Sequence, residues 1–506
     1  MPRARAARRG SSRSGGLFRS GEPFRSGGGP CVQARAIRPR RLRGGTRLES
    51  YLKHLVSNQP ADYVEIRVEE TRRTRIEFRG PTLDSLGESV DCGGCVRALV
   101  DGGWGFVSFN RLEGLEEHVA LAVRQARLAG ERVSGKSRLA DAPVIQDKVS
   151  AELEEDPRQV PLAVKKDILE TYNRQVLDFG PPIVSSRVVY FDKFTRLHFA
   201  NSDGTYIEQE KLDLGGAVVA IAHRDGDTQM FSRGFGSSNT FGVVRGFEEA
   251  VEDACRRAAA LIEAPVVEAG EYTVIVDPIL AGVFVHEAFG HLSEADNVYE
   301  NPNLQKVMTL GREFGGPHLN IYDTGLTPGV RGYLKYDDEG VPTQRTYLIK
   351  EGKLVGRLHS RETAGKMGEK VTGNARALDY RFPPICRMRT TGIEPGEATF
   401  EDMLKGIKLG VYVRSAYGGE TAGEMFTFTA GDARMIRDGE LAEVVKNVTL
   451  TGNVFQTLKN IDMIGSDERI RDGAGGCGKG RQGPLATSMG SPHIRIRNVV
   501  IGGKAR

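Results

Sequence analysis

Between Asp62 and Gly80 the chain reads DYVEIRVEETRRTRIEFRG, with apolar and polar residues alternating through most of its length. A period of two is that of a strand with one buried face, and such a strand needs a neighbour for its backbone groups. The segment VRALVDGGWGFVSF predicts a hairpin turning at Asp101-Gly102-Gly103, with Trp104 and Phe106 as core residues. VVYFDKF, TRLHFANSDG, GTYIEQE and GGAVVAIAHRDGD predict several short strands broken at glycines.

Four stretches carry helical spacing instead: RLESYLKHLVSN, RLEGLEEHVALAVRQARLAG, a segment near 161–177, and GFEEAVEDACRRAAALIEA, which puts Cys255 on its apolar side. A polar linker is expected at about 131–160, and from Glu268 onward short strands and Gly-rich connections dominate. The expected class is α+β. It comprises a disordered basic extension at 1–46, an N-terminal α/β domain at 47–267, and a β-rich C-terminal domain at 268–506 carrying one chemically equipped helix.

Charge separates the first of these segments from the rest. The 506 residues carry a formal +4, but residues 1–47 hold 13 arginines and one acid, Glu22, leaving 57 bases against 65 acids elsewhere. A body at −8 argues against a general nucleic-acid surface on it. The Arg-, Ser- and Gly-rich start suits a transit peptide, a nucleic-acid-binding arm or a start assigned too far upstream. No stretch approaches the roughly 18 apolar residues of a membrane span. Six cysteines in a chain of this length suit a reducing compartment, so a cytoplasmic location is expected.

The segment EYTVIVDPILAGVFVHEAFGHLSEAD carries the chemistry. EYTVIV reads as a buried strand, Asp277 as an N-cap and Pro278 as the first residue of a helix running to about Glu294. On that helix His286, Glu287 and His291 form HExxxH in a chain with nine histidines. Histidines five apart diverge by roughly 140° on a regular α-helix, too far to share an ion, whereas four apart they diverge by roughly 40°. Metal binding therefore requires a π-bulge or break between His286 and His291, which Gly290 would make less costly. The flanking residues 281–285 are apolar, so His286 and Glu287 would be costly to bury unpaired. A third ligand is needed. Glu294, Glu300, Cys386 and Cys477 are the candidates, the last in the glycine-rich DGAGGCGKGRQG.

That loop also matches GxGxxG and GxxxxGK, but Gly480 stands where a magnesium-binding Ser or Thr belongs, and the following GKGRQGPLATSMG cannot start a helix. Cys92-Gly93-Gly94-Cys95 has no second CxxC to complete a zinc ribbon. No GxSxG elbow occurs.

HEAFGHLSEAD and DGAGGCGKGRQGPL, together with VRALVDGGWGFVSF, GEMFTFTAGDARMIRDGELAEVVKNVTLTGN and IDMIGSD, make the chain resemble the TldD/PmbA family of metallopeptidases from about Arg47 to Gly503. It is most similar to the TldD-type subunit, which carries HExxxH, rather than the PmbA-type, which lacks it. The resemblance implies one zinc ion per chain on His286, His291 and Cys477, with Glu287 as the catalytic carboxylate. It further implies hydrolysis of short or unfolded peptides within a dimer, with a PmbA-type chain or a second copy as partner. The rival expectation is a non-catalytic subunit whose metal orders the fold.

Overall fold

A computed structural model describes residues 48–503. The basic extension expected at 1–46 lies outside the described residues, as do Arg47 and residues 504–506. Helix α1 (Leu48–Val56) precedes β1 (Tyr63–Arg79), which is one uninterrupted strand, antiparallel to β2 (Thr82–Val100) with Tyr63 opposite Leu99. β2 turns through Asp101-Gly102, both at positive φ, into β3 (Gly103–Phe109) at the expected hairpin. Helix α2 (Leu115–Gly130) then packs its apolar stripe, Val119, Ala122, Val123 and Ala126, against this hairpin.

The linker expected at 131–160 contains β4 (Gln146–Val149), which runs parallel to the start of a later strand and pins the connection to the sheet. After α3 (Leu162–Leu177), the strands expected to be short are long: β5 (Ile183–Asn201) and β6 (Tyr206–Arg224) have 19 residues each, followed by β7 (Asp227–Ser237). Gly215 and Gly216 lie inside β6 because space is missing there. A Cβ at 215 would stand 2.8 Å from the Phe191 ring, and one at 216 would stand 2.2 Å from the Phe235 ring. These glycines record close packing rather than turns. The sheet order is β3-β2-β1-β5-β6-β4, with β7 also on β6, and α3 and α4 (Glu248–Glu263) bury one face, with Cys255 fully enclosed. Trp104 and Phe106 are half-buried rather than core. The Arg97 guanidinium covers the indole at 4.4 Å, and Glu362 accepts from its Nε1 at 3.1 Å. Cys92 and Cys95 stand on one extended strand, β2, and are free thiols.

Beyond α4, β8 (Gly270–Val276) begins a second system that shares no strand with the first among the described residues. It pairs with Leu409–Ala422 and Ile494–Gly502. Through Thr449–Asn453 and Met425–Arg437 the pairing returns to Leu409–Ala422, so five strands close a ring. A six-stranded sheet containing Ile321–Thr324, Thr390–Ile393 and Ser488–Ser491 lies across from it. Helix α5 (Pro278–Val285) runs between the two, with Phe284 edge-on to Phe426 and Phe428 and Gly282 close against Met489. The molecule is thus α+β with a β-rich C-terminal half. No helix among the described residues is long and apolar enough to cross a membrane.

Candidate metal centre

Helix α5 starts as its sequence dictates. Asp277 accepts from the Leu280 N–H at 2.8 Å with Pro278 at the first helical position. Its second carboxylate oxygen accepts from the Ser415 N–H at 3.0 Å, tying the helix start to a strand of the ring. The α-helix ends at Val285, and His286–Gly290 form a π-helical turn in which the His291 N–H donates to the His286 carbonyl. A 3-10 turn, His291–Ser293, closes the segment. The extra residue in the turn brings the two imidazoles to one side: their centroids are 5.3 Å apart with planes at 84°.

Gly290 has a different part in this from the one its sequence suggests. Its φ of −57° and ψ of −53° are ordinary helical values open to any residue. What excludes a side chain is Met388, whose sulfur would lie 2.0 Å from a Cβ at position 290.

Cys477 arrives from a two-stranded ribbon, Cys477–Lys479 paired with Gln482–Leu485. Its sulfur lies 3.2 Å from His291 Nε2. One donor atom each from His286, His291 and Cys477 falls within 4.8 Å of the others. The other third-ligand candidates go elsewhere. Glu300 is exposed, and the Cys386 sulfur accepts from the Ser360 N–H at 3.2 Å. Glu294 is fully buried, with Oε2 3.0 Å from His291 Nδ1, on the opposite edge of the ring from Cys477. It orients an imidazole instead of joining the donor set. Glu287 is partly exposed, its carboxylate 3.8 Å from His291 Nε2.

Two residues outside the candidate ligand set hold the ribbon. Arg387, wholly buried, donates to the carbonyls of Cys477 at 2.6 Å and Gln482 at 3.0 Å. Lys479 reaches Asp296 at 2.6 Å and Glu294 at 3.0 Å, so the strand that presents Cys477 is bonded to the carboxylate that orients His291. The glycine-rich loop continues into this ribbon, and among the described residues no helix follows it that could receive a phosphate.

Burial, reinforced by the neighbouring His291, holds His286 well below the usual imidazole range. Its buried Nδ1 has no hydrogen-bond partner among the described residues. For His291 burial acts in the same direction, but hydrogen bonds to Cys477 and Glu294 outweigh it and lift the group to about 10. Burial raises the Glu287 carboxyl above its ordinary value. Two imidazoles and a thiol with an orphaned buried nitrogen fit a soft or borderline cation such as zinc better than a hard one.

Models of the PmbA/TldA metallopeptidase domain 1, central domain and C-terminal domain match residues 64–129, 155–262 and 269–503. "Metalloprotease slr0863" of Synechocystis is 47% identical over 446 residues, covering 88% of this chain and 96% of the relative. The chain belongs to the TldD/PmbA family. The "Zinc metalloprotease TldD homolog" of Saccharolobus solfataricus is 29% identical, over 88% of this chain and 97% of its own. The crystal structure of TldE from Thermococcus kodakarensis superposes with a TM-score of 0.70 at 18% identity, covering 90% of this chain and 99% of that one, and so shares the fold. Relatives across the family are named metalloproteases, which supports peptidase activity at the level of the family.

Proposed function

We propose that this chain is a zinc-dependent peptidase of TldD type, cleaving short or unfolded peptides at the His286, His291 and Cys477 cluster. The observation that carries the reading is the π turn, which spends regular helix geometry on bringing two histidines to one thiol. Such a distortion has little structural return unless the three donors share a ligand. When bound, one zinc ion supplies Lewis-acid polarisation of a carbonyl and a lowered water pKa.

The remaining chemistry belongs to the chain. Glu287 is the general base: it borders the cluster, keeps part of its carboxylate open, and has a raised proton affinity that suits taking a proton from water and returning it to the leaving amine. Glu294 fixes the His291 ring through Nδ1 and leaves Nε2 for the ion. Lys479 and Arg387 hold the thiol in place. The family resemblance adds a dimer as the working form, with a second copy or a PmbA-type chain as partner.

The deciding experiment uses the full chain loaded with zinc, with and without Glu287→Gln. The expected result is one zinc per chain in both and peptide cleavage only in the unaltered protein. Cleavage surviving in the zinc-loaded variant would show that Glu287 is not the base. Absence of stoichiometric metal would remove the site.

A further inference from the structure

Behind the ribbon that presents Cys477, between the first sheet and loops of the C-terminal half, is an open cavity of about 680 Å3. Strands β1, β5 and β6 form one wall; the other comes from residues 331–338, 376–381 and 474–486. The volume is within the ~300–1,000 Å3 of pockets that enclose a small ligand or several peptide residues. Leu485 lines it, and its backbone lies opposite Cys477 across the ribbon, so the cavity and the candidate metal centre share a wall.

Its charge is unbalanced. Eight lining side chains are cationic and four are acidic, and the acids are already engaged. Asp192 takes Lys165 at 2.6 Å from behind the sheet, Asp213 takes Arg331 at 2.6 Å, and Asp379 takes Arg381. Asp338 accepts the Ala377 N–H at 2.8 Å and lies 3.6 Å from Arg67. Three cations have no carboxylate within ion-pair distance among the described residues. Lys193 donates only to the Leu378 carbonyl, at 3.3 Å. The Lys211 ammonium makes no hydrogen bond or close ion pair among the described residues and acts on Asp338 only from beyond contact distance. Arg376 is held by the carbonyls of Met388 and Ala486. Burial, with Lys211 adjacent, pulls Lys193 below the usual lysine range, and burial beside Arg389 and Arg387 pulls Arg376 down to about 9. Cations held this way are costly in an empty pocket and favourable beside an anion. Between them Val189, Phe191 and Leu485 supply apolar surface.

We propose that this cavity is a recognition pocket for an acidic peptide segment, whose carboxylates pair with Lys193, Lys211 and Arg376 while its apolar groups rest on Val189, Phe191 and Leu485. The choice of a peptide over other anions rests on the peptidase reading; the demand for an anion does not. The occupant is thereby an acidic stretch of the substrate, held one ribbon's thickness from the cleavage site.

The experiment is fluorescence anisotropy of a labelled pentapeptide of Asp, Glu and Leu with the full chain carrying Glu287→Gln, so that no peptide is consumed. The comparisons are the same peptide with Asn and Gln in place of its acids, and inorganic phosphate as competitor. The acidic peptide is expected to bind, to weaken with added salt, and to exceed its amide counterpart by about tenfold or more. Lys193→Gln with Lys211→Gln should remove about a tenfold share of that affinity. Equal binding of acidic and amide peptides overturns the proposal, as does undiminished binding by the double variant. Should that variant unfold, the peptide and salt comparisons on the lysine-bearing chain decide alone. Full displacement by phosphate at the concentration that saturates a free-anion site would replace the peptide with a small anion. Since binding is read without turnover, failure of the peptidase reading leaves these outcomes intact.

Discussion

Substituting Gly290 by alanine separates two explanations of the π turn. If the glycine serves backbone freedom, alanine strains the turn. If it serves space, alanine collides with Met388. The backbone at 290 is helical, so propensity alone would make Gly290→Ala stabilising by about 1 kcal/mol. The collision reverses the sign: a Cβ there falls 2.0 Å from a sulfur that is itself fully buried, and overpacking of this kind costs about 1–3 kcal/mol. A net loss of about 1–2 kcal/mol is expected by urea denaturation of chelated protein, where bound metal adds nothing to stability. Met388→Ala costs about 2–5 kcal/mol by itself but opens the space. In that background Gly290→Ala should become neutral or stabilising, a coupling of about 2 kcal/mol between the sites. Because the strain falls between His286 and His291, the single variant should also lose zinc affinity, read by competition with a chromophoric chelator. A penalty of the same size with and without Met388 would refute the steric account.

Glu294→Gln keeps the shape but not the charge beside His291, and zinc affinity by chelator competition should fall about 10–100-fold with the fold retained. Asp277→Ala removes the acceptor for two amides, at Leu280 and Ser415, and should cost about 1–2 kcal/mol in denaturant; Asp277→Asn, with one acceptor oxygen, should recover part of it. Deleting residues 1–46 should leave zinc content and peptide cleavage unchanged in a side-by-side assay.

Local order could be read from the chain because local causes produce it. The N-cap, the first-turn proline and the strand before them follow one another within a few residues, and each appears where its chemistry puts it. The five-residue spacing of His286 and His291 likewise contained its own demand for a bulged turn. Glycine misled twice for one reason. At 215, 216 and 290 the residue answers to a distant ring or sulfur, Phe191, Phe235 and Met388 in turn, and nothing adjacent in sequence shows that a neighbour stands there. The turn at Asp101-Gly102, by contrast, is a backbone requirement and was legible.

The third donor shows the limit most sharply. From the residues alone Glu294, Glu300, Cys386 and Cys477 were all candidates, the cysteines as remote alternatives, and proximity along the chain favoured Glu294, only three residues from His291. That same proximity gives Glu294 a different role. From one turn away its carboxylate meets the Nδ1 edge of the ring, leaving the Nε2 edge to a group approaching from outside the helix. Cys477 meets that edge from 186 residues away, on a ribbon whose position depends on Arg387 beneath it and on Lys479 reaching to Glu294 and Asp296. In the fold Arg387 holds the ribbon's carbonyls, and Lys479 ties the strand that offers the thiol to the carboxylate that aims the imidazole. A change at Lys479 should therefore disturb both donors together, although it touches neither directly.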